Sequence, residues 1–365
     1  MKIKNPPKSH YELVTKFLKM TSEKKNRLPD NIRESIAVPD FYELMDKVSE
    51  KWGPYPTYEQ FFMAGYDWVN VTGKTAGSVT YEANVMYHLY NMIQNGEHIY
   101  YVTTQLAAKL AQTNINVETY FLKSPFREIY VQIDPGLFTM HDVDGTETPV
   151  HGFYVYLNDL GHIKDLRIMV VSVMEPQEGI PFNDSGYYFH LELPSGKIRK
   201  TVKDVIDENL RTKEVEINMY GGHINLDYME EFTYFVLNTL LYLTSKDPDV
   251  IRHFPIDLSK KIAGLKNPAK VRKELQRAER STSLPIFIAG ASLTSNSKDI
   301  EDIRRAGSIG KWKLQNKILV SGHYRKQWYG SKVEDNRRQE LIWIDPYEKG
   351  PDAGELMSRK IQVGK

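Results

Sequence analysis

Apolar residues in the first quarter of the chain recur at three- and four-residue steps, the spacing of one face of an α-helix. This spacing predicts helices over 11–24, 41–48, 57–69 and 78–93, and the last of them ends at Asn95-Gly96, a pair typical of helix C-termini. Aromatic and methionine side chains at helical spacing usually belong to a core, so the pattern indicates a packed helical layer.

The period changes after residue 99, where β-branched and aromatic residues alternate between Pro, Gly, Asn and Asp punctuation. Strands are predicted over 128–133, 152–158, 166–174 and 186–193, enough for a mixed sheet of at least four strands. The longest predicted helix, 225–245, is apolar around most of its circumference, which indicates a central position. The predicted fold class is therefore α+β: a helical N-terminal layer (1–96), a mixed α/β core ending in the long helix (97–250), and a basic C-terminal region containing strands (251–365).

The composition excludes several classes of chemistry. The 365 residues include no cysteine, which excludes disulfides, cysteine-ligated metals and thiol nucleophiles. The sequence has no apolar run of the roughly 18 residues that span a bilayer, and its N-terminus is polar, so we expect a cytoplasmic protein with no membrane partner.

Charged residues are distributed unevenly along the chain. Residues 1–250 carry 24 basic and 34 acidic side chains, whereas residues 251–365 carry 24 basic and 13 acidic. The basic region could pack on the acidic one or face an anionic partner.

Carboxylates occur in two groups that could serve metal or acid-base chemistry. One is His141, Asp142, Asp144 and Glu147 in a loop; the other is Glu214, Glu216, Asp227, Glu230 and Glu231, where a strand-like segment enters the long helix. A polar loop and a helix N-terminus account for both groups more simply. Gly221-Gly222-His223 is likewise interpreted as a turn, and nucleotide-binding, hydrolase and zincin motifs are absent from the sequence. We therefore predict no catalytic residue, no metal and no cofactor.

The most informative segment lies near the C-terminus, where a strand over 318–330 is followed by a second over 340–344. Strand alternation places His323, Arg325 and Gln327 on one face and Tyr324, Lys326 and Trp328 on the other. Arginine matches phosphate geometry and aromatic planes stack on bases, a combination suited to single-stranded nucleic acid. The candidate binding residues are His323, Arg325, Lys326, Gln327, Tyr329, Arg337, Arg338, Trp343, Tyr347 and Lys349. The alternative is that His323 and Arg325 hold the adjacent turn through buried hydrogen bonds.

These residues also carry a resemblance. The pattern Val320, Gly322, His323, Arg325, Gln327, Tyr329-Gly330, Arg337-Arg338, Trp343-Ile344, Pro346-Tyr347 and Lys349-Gly350 resembles the C-terminal signature of a group of phage and mobile-element proteins. This group includes the anti-CRISPR proteins directed at the type V-A effector nuclease. The helix phrase 235–243, with its Asn and Leu-Leu-Tyr-Leu, is similar to the same group, whereas Tyr324 stands where relatives often have Trp. The resemblance implies a factor that blocks the production or action of a host defence nuclease in the bacterial cytoplasm, and it supplies no catalytic residue.

Our first hypothesis is a non-enzymatic inhibitor whose basic C-terminal region contacts RNA or a ribonucleoprotein, with a CRISPR effector protein or its nascent chain as a further partner. A metal-dependent nuclease or other phosphoryl-transfer enzyme using Glu214, Glu216 and Asp227 is the first alternative. A protein-only interaction module is the second. The oligomeric state is left open.

Overall fold

The structure is a computed structural model that describes residues 9, 11–12, 15, 41–61, 63, 76–141, 147–174, 183–195, 200–220, 226–253, 264–265, 267–279, 286–293, 317–331, 337–349 and 356–357. The chain forms two compact units, each built from three separate segments. The first unit comprises 1–102, 126–192 and 251–288, and the second comprises 103–125, 193–250 and 289–365. The three consecutive regions suggested by the sequence stay a prediction.

The described elements begin with helices, continue with a run of strands and two further helices, and are mainly strands at the end of the chain. The helices are α1 (Phe41–Trp52), α2 (Ala76–Asn95), α3 (Thr104–Ala111), α4 (Val202–Tyr220), α5 (Leu226–Leu243) and α6 (Pro268–Glu279). The strands are β1 (Ile99–Val102), β2 (Glu128–Gln132), β3 (Thr139–His141), β4 (Glu147–Pro149), β5 (Gly152–Asp159), β6 (Ile163–Met174), β7 (Asn183–Pro194), β8 (Val250–His253), β9 (Ile286–Ala289), β10 (Lys317–Val320), β11 (His323–Tyr329), β12 (Arg338–Ile344), β13 (Tyr347–Lys349) and β14 (Leu356–Met357). A short 3₁₀ helix covers Thr119–Phe121.

The first unit is organised by a seven-stranded sheet in the order β7-β6-β5-β2-β1-β9-β8. Strands β1 and β2 pair in parallel, whereas β2, β5 and β6 pair antiparallel, so the predicted mixed sheet is confirmed. Helix α2 packs on β2, β5 and β6, and aromatic residues such as Tyr87, Tyr130 and Tyr154 fill the space between them. The predicted helices over 41–48 and 78–93 are also confirmed, since α1 and α2 cover them.

The second unit is organised by α5, which contacts both α3 and α4. The predicted central helix over 225–245 is confirmed, because Phe232, Phe235, Leu237 and Leu240 are completely buried. Polar Asn238 and Thr239 lie in the same buried stretch. Within the described residues, none of the helices is both long and apolar enough to cross a membrane.

The strand-like segment that the sequence suggests near Glu214 and Glu216 is wrong, because both residues lie in α4. Local β-branched and aromatic content favours a strand there. The helix starts at Val202, and its buried residues Val205 and Ile206 follow helical spacing, so the pattern set in the first turns prevails.

The predicted strand over 318–330 is two strands, β10 and β11, separated by Ser321 and Gly322. Strand β10 lies between β13 and β14 in a three-stranded sheet, whereas β11 pairs with β12 in a separate antiparallel hairpin. The break at Gly322 redirects the chain from one sheet to the other, and the β11–β12 hairpin carries most of the candidate binding residues.

Candidate functional site

The β11–β12 hairpin is anchored to the end of α3 through Gly322. The backbone N–H of Asn114 donates to the Gly322 carbonyl at 2.7 Å, and Asn114 forms an isolated parallel bridge with His323. A Cβ at position 322 would lie 2.5 Å from Thr113 Oγ1 and 3.1 Å from Pro346 Cδ. The close approach therefore requires glycine at this position.

One face of the hairpin, here called the inner face, packs on α3 and α5. Tyr324 is buried, and its hydroxyl donates to the backbone carbonyl of Asn238 at 2.7 Å. Opposite Tyr324 in the register lies Trp343, whose indole N–H donates to Thr113 Oγ1 at 3.3 Å. The Trp343 ring meets the Tyr242 ring edge-on at 5.0 Å between centroids. Two aromatic residues of the hairpin thus combine apolar burial with a satisfied polar atom.

Asn238 joins the hairpin to the rest of the second unit. Its side-chain amide donates to the carbonyl of Leu110, in the last turn of α3, at 3.1 Å and to the carbonyl of Thr113, just beyond the helix, at 2.8 Å. Helix ends leave carbonyls without intrahelical partners, and a buried carbonyl without a donor is costly. Asn238 therefore gives the Thr113 carbonyl a donor and the Leu110 carbonyl a second one beside the backbone N–H of Thr113, while its own backbone carbonyl accepts from the Tyr324 hydroxyl.

Two ion pairs add to this attachment. Lys326 pairs with Glu118, and its ammonium also lies 5.5 Å from the Phe121 ring centroid. Lys109 Nζ lies 2.5 Å from Asp345 Oδ2, next to the end of β12. Lys326 is consequently engaged within the unit.

The opposite or outer face carries His323, Arg325, Gln327 and Tyr329, which lie across from Ile344, Ile342, Glu340 and Arg338 in the register. Arg325 and Arg338 are exposed. Glu340 accepts a hydrogen bond from Arg338 Nε at 2.6 Å and lies 3.6 Å from Lys246 Nζ, whose ammonium sits 3.3 Å from the Tyr329 ring centroid. In the described part of the chain Arg325 has no carboxylate partner. The outer face, with Lys246, therefore presents three cations and one carboxylate.

Trp328 lies at the far end of the hairpin. Alternation places it on the same side as Tyr324, yet half of its side chain (50%) is exposed. The Arg337 guanidinium lies over its ring at 5.1 Å from the centroid. The candidate binding residues chosen from the sequence do not include Trp328. The sequence signal for its exposure is its position at the end of the strand far from Gly322.

The structure separates the predicted binding residues into several places. His323, Arg325, Gln327, Tyr329 and Arg338 share the outer face, Lys326 and Trp343 belong to the inner face, and Arg337 adjoins Trp328. Tyr347 and Lys349 lie in β13, opposite Val320 and Ile318, and Tyr347 is 43% exposed. His323 Nδ1 lies 3.2 Å from the Ser321 carbonyl, a local contact at the start of the strand.

The candidate carboxylates are dispersed. In the backbone register of the β3–β4 hairpin His141 pairs with Glu147, whereas Asp142, Asp144 and residues 221–223 lie outside the described residues. Glu230 and Glu231 line a cleft of about 440 Å³ together with Lys203 and Tyr234. Lys203 is paired with Asp207 and hydrogen-bonded to Tyr234. Across the described segments, no group of three or more His, Asp and Glu side chains could hold a metal ion.

The first unit contains a buried pair that no pattern in the sequence singles out. His88 of α2 and Glu128 of β2 are completely buried, with His88 Nδ1 3.0 Å from Glu128 Oε1. Burial lowers the pKa of His88 to about 3 and raises the pKa of Glu128 well above its ordinary value. Burial therefore favours the neutral form of both side chains, which are joined by a hydrogen bond.

Arg167 is a charged group that acts on this pair, since its positive charge adds to the effect of burial in lowering the pKa of His88. Its guanidinium donates to Tyr188 Oη at 2.7 Å and to Asp165 at 3.1 Å, and it lies 4.3 Å from the Tyr58 ring centroid. Although burial opposes it, the hydrogen bond from His190 and the nearby Arg167 hold the pKa of Asp165 below its ordinary value. This cluster joins the 57–61 helical turn to the sheet, and the side chains in it have partners within the first unit.

Comparison with protein families gives a match that includes residues of both units. The AcrVA2-like model, described as the anti-CRISPR type V subtype A2 family, matches residues 100–347. This range is more than half of the chain and includes α3, α5 and the whole β11–β12 hairpin. A search of curated proteins finds no match.

Proposed function

The chain belongs to the AcrVA2-like anti-CRISPR type V subtype A2 family, and from this premise we propose that it acts through the outer face of the β11–β12 hairpin, which binds RNA or a ribonucleoprotein of the defence system. Membership of the family makes it a phage-type inhibitor of a host defence system and indicates an interaction with a CRISPR component. The contact with RNA is the finer proposal.

The observation that carries this proposal is that the residues of the C-terminal signature divide between the two faces of the hairpin, one face holding it in place and the other exposed. Gly322, Tyr324 and Trp343 turn inward and hold the hairpin to α3 and α5. The same strands place Arg325 and Arg338 outward on one rigid sheet face. Side chains on strands are positioned more firmly than side chains on loops, so a surface built this way suits repeated recognition of one partner.

The charges of the outer face favour an anionic partner. Arg325 and Arg338 offer guanidinium forks that match phosphate oxygens, and Lys246 lies beside them over Tyr329. Glu340 is shared between Arg338 and Lys246, so its charge is already compensated. Phosphate contacts of this kind supply most of the affinity of nucleic-acid binding and make it sensitive to salt.

The test is equilibrium binding of the purified protein to single-stranded RNA, single-stranded DNA and duplex DNA across a salt series. Mg²⁺ is present and the products are examined on a gel. The variant Arg325→Ala/Arg338→Ala should weaken RNA binding and reduce the salt slope by about 0.7 for each phosphate that the protein no longer neutralises. Arg272→Ala is the matched control, because Arg272 is an exposed arginine on α6 in the first unit.

An unchanged affinity and salt slope in the double variant would contradict the RNA-contact assignment, as would an equal loss in the control. Absence of any nucleic-acid binding would direct the search to a protein partner. Cleavage of the RNA would instead favour the nuclease alternative.

A further inference from the structure

The exposed indole of Trp328 has no evident role in holding the hairpin. Of the two aromatic residues nearer the base of the same face, Tyr324 is buried and Trp343 is half-buried, and each donates a hydrogen bond. Trp328 is 50% exposed, and in the part of the chain that the structure describes its indole N–H has no acceptor. A half-exposed tryptophan leaves much of a large aromatic ring accessible for a partner to contact.

The surroundings of Trp328 are cationic. Arg337 lies over the ring at 5.1 Å, and Arg338 follows it at the start of β12. On the other side of the strand, Lys246 lies over the ring of Tyr329 at 3.3 Å. The end of the hairpin therefore combines two aromatic rings with three basic side chains, the composition of a stacking platform for nucleic acid.

We propose that an unpaired nucleobase of the bound RNA stacks on Trp328 beside Arg337, so that the end of the hairpin selects single-stranded RNA over duplex. The inference rests on the function proposed above and adds the form of RNA recognised. Bases in a duplex are already stacked on their neighbours, and only an unpaired base offers its face to an indole. Arg337 and Arg338 then lie close enough along the chain to meet the adjoining phosphates.

The experiment measures the binding of the protein to four RNAs: oligouridine, oligoadenosine, an oligonucleotide of abasic nucleotides and a fully paired RNA hairpin. Trp328→Ala should weaken binding to the single-stranded oligomers about tenfold, because stacking on one base contributes on that scale, and it should leave the salt slope unchanged. Trp328→Phe keeps a stacking ring and should remain within about threefold of the natural protein. Binding to the abasic oligomer and to the paired hairpin should be the same with and without the indole.

Tyr55→Ala is the matched control. Tyr55 is another exposed aromatic ring (53%) with an arginine over it, Arg127 at 4.7 Å, and both residues lie in the first unit. The Tyr55→Ala variant should bind each RNA as the natural protein does. Thermal unfolding of every variant checks that the exposed substitutions leave the fold intact.

The outcomes separate the inference from the proposed function. If Arg325→Ala/Arg338→Ala weakens binding while Trp328→Ala does not, stacking is overturned and the RNA-contact function stands. If neither variant changes binding, both fail. Equal losses in Trp328→Ala and Trp328→Phe, or an equal loss on abasic RNA, would also overturn stacking, since neither result depends on contact between a base and a ring.

Discussion

The Tyr324 hydroxyl donates to the backbone carbonyl of Asn238 at 2.7 Å, which connects the start of the hairpin to the middle of α5. The Asn238 side chain in turn donates to Leu110 and Thr113. Burial raises the pKa of Tyr324 well above its ordinary value, so the hydroxyl keeps its proton and remains a donor. The hairpin signature and the α5 phrase are therefore two parts of one hydrogen-bonded arrangement.

Tyr324→Phe should lower the free energy of unfolding by about 1 kcal/mol, the usual net contribution of one buried hydrogen bond. Asn238→Ala should cost more, about 2–3 kcal/mol, because it removes two buried hydrogen bonds and takes the side-chain donor away from the Thr113 carbonyl. Urea denaturation measures both values. Tyr120→Phe is the control, since Tyr120 is 58% exposed and should change stability little. Equal stability of Tyr324→Phe and the natural protein would contradict a role for this bond.

The sequence predicts the periodic elements well and the contacts between them poorly. Helix α5 was evident from residues such as Phe232 and Leu240, because an apolar circumference requires burial wherever the helix packs. The sequence does not predict the role of Asn238, because the partner of a polar residue in such a helix is known only once the position of α3 is known. The resemblance grouped Asn238 with the hairpin residues, and the structure supplies the physical reason.

Gly322→Ala should destabilise the protein by about 1–3 kcal/mol, because the new methyl group would lie 2.5 Å from Thr113 Oγ1. Combining it with Thr113→Ala makes a double-mutant cycle, in which the clash is removed. The double variant should therefore be more stable than the sum of the two single losses predicts. Thr113→Ala alone also loses the bond from Trp343, so its own cost is measured separately. Strictly additive losses would show that Thr113 is not what excludes a side chain at position 322.

The outer and inner faces of the hairpin illustrate a second limit of prediction from the sequence. Alternation along β11 assigns Arg325 and Lys326 to opposite faces, and the structure has them there. Alternation carries no information on which face meets the rest of the unit, nor on where along the strand that contact ends. Trp328 is exposed for this second reason, because it lies beyond the part of the inner face that α3 and α5 cover.

Glu128→Gln should become more stabilising, relative to the natural protein, as the pH rises. Above its ordinary pKa of 4.5, Glu128 is ionised in the unfolded chain but keeps its proton in the folded one, because burial raises its pKa. The folded state then binds the extra proton, so stability falls with rising pH by up to about 1.4 kcal/mol per pH unit. Glutamine cannot ionise and avoids this loss.

Urea denaturation between about pH 5 and about pH 8 checks this trend. His88, with its pKa lowered to about 3, costs stability as the pH falls below 6.5, but it does so in both proteins and cancels in their difference. Glu192→Gln is the control, because Glu192 is an exposed carboxyl on β7. A difference that stays constant over the range would mean that Glu128 is ionised in the fold beside a neutral His88, so that the folded pair binds no proton.

Arg325 and Lys326 are neighbours in the chain, yet they should contribute differently to RNA binding. Lys326 is engaged by Glu118 on the inner face, whereas Arg325 is exposed on the outer face. Arg325→Ala should weaken binding about fivefold and reduce the salt slope, because one phosphate of the RNA is then left without its cation. Lys326→Ala should leave the salt slope unchanged, since its ammonium is held away from the outer face. Glu118→Gln completes the test: it releases Lys326 without removing a cation from the hairpin, so RNA affinity should be retained or rise. A larger loss in Lys326→Ala than in Arg325→Ala would instead place the RNA on the inner side of the hairpin, beside Glu118 and Phe121.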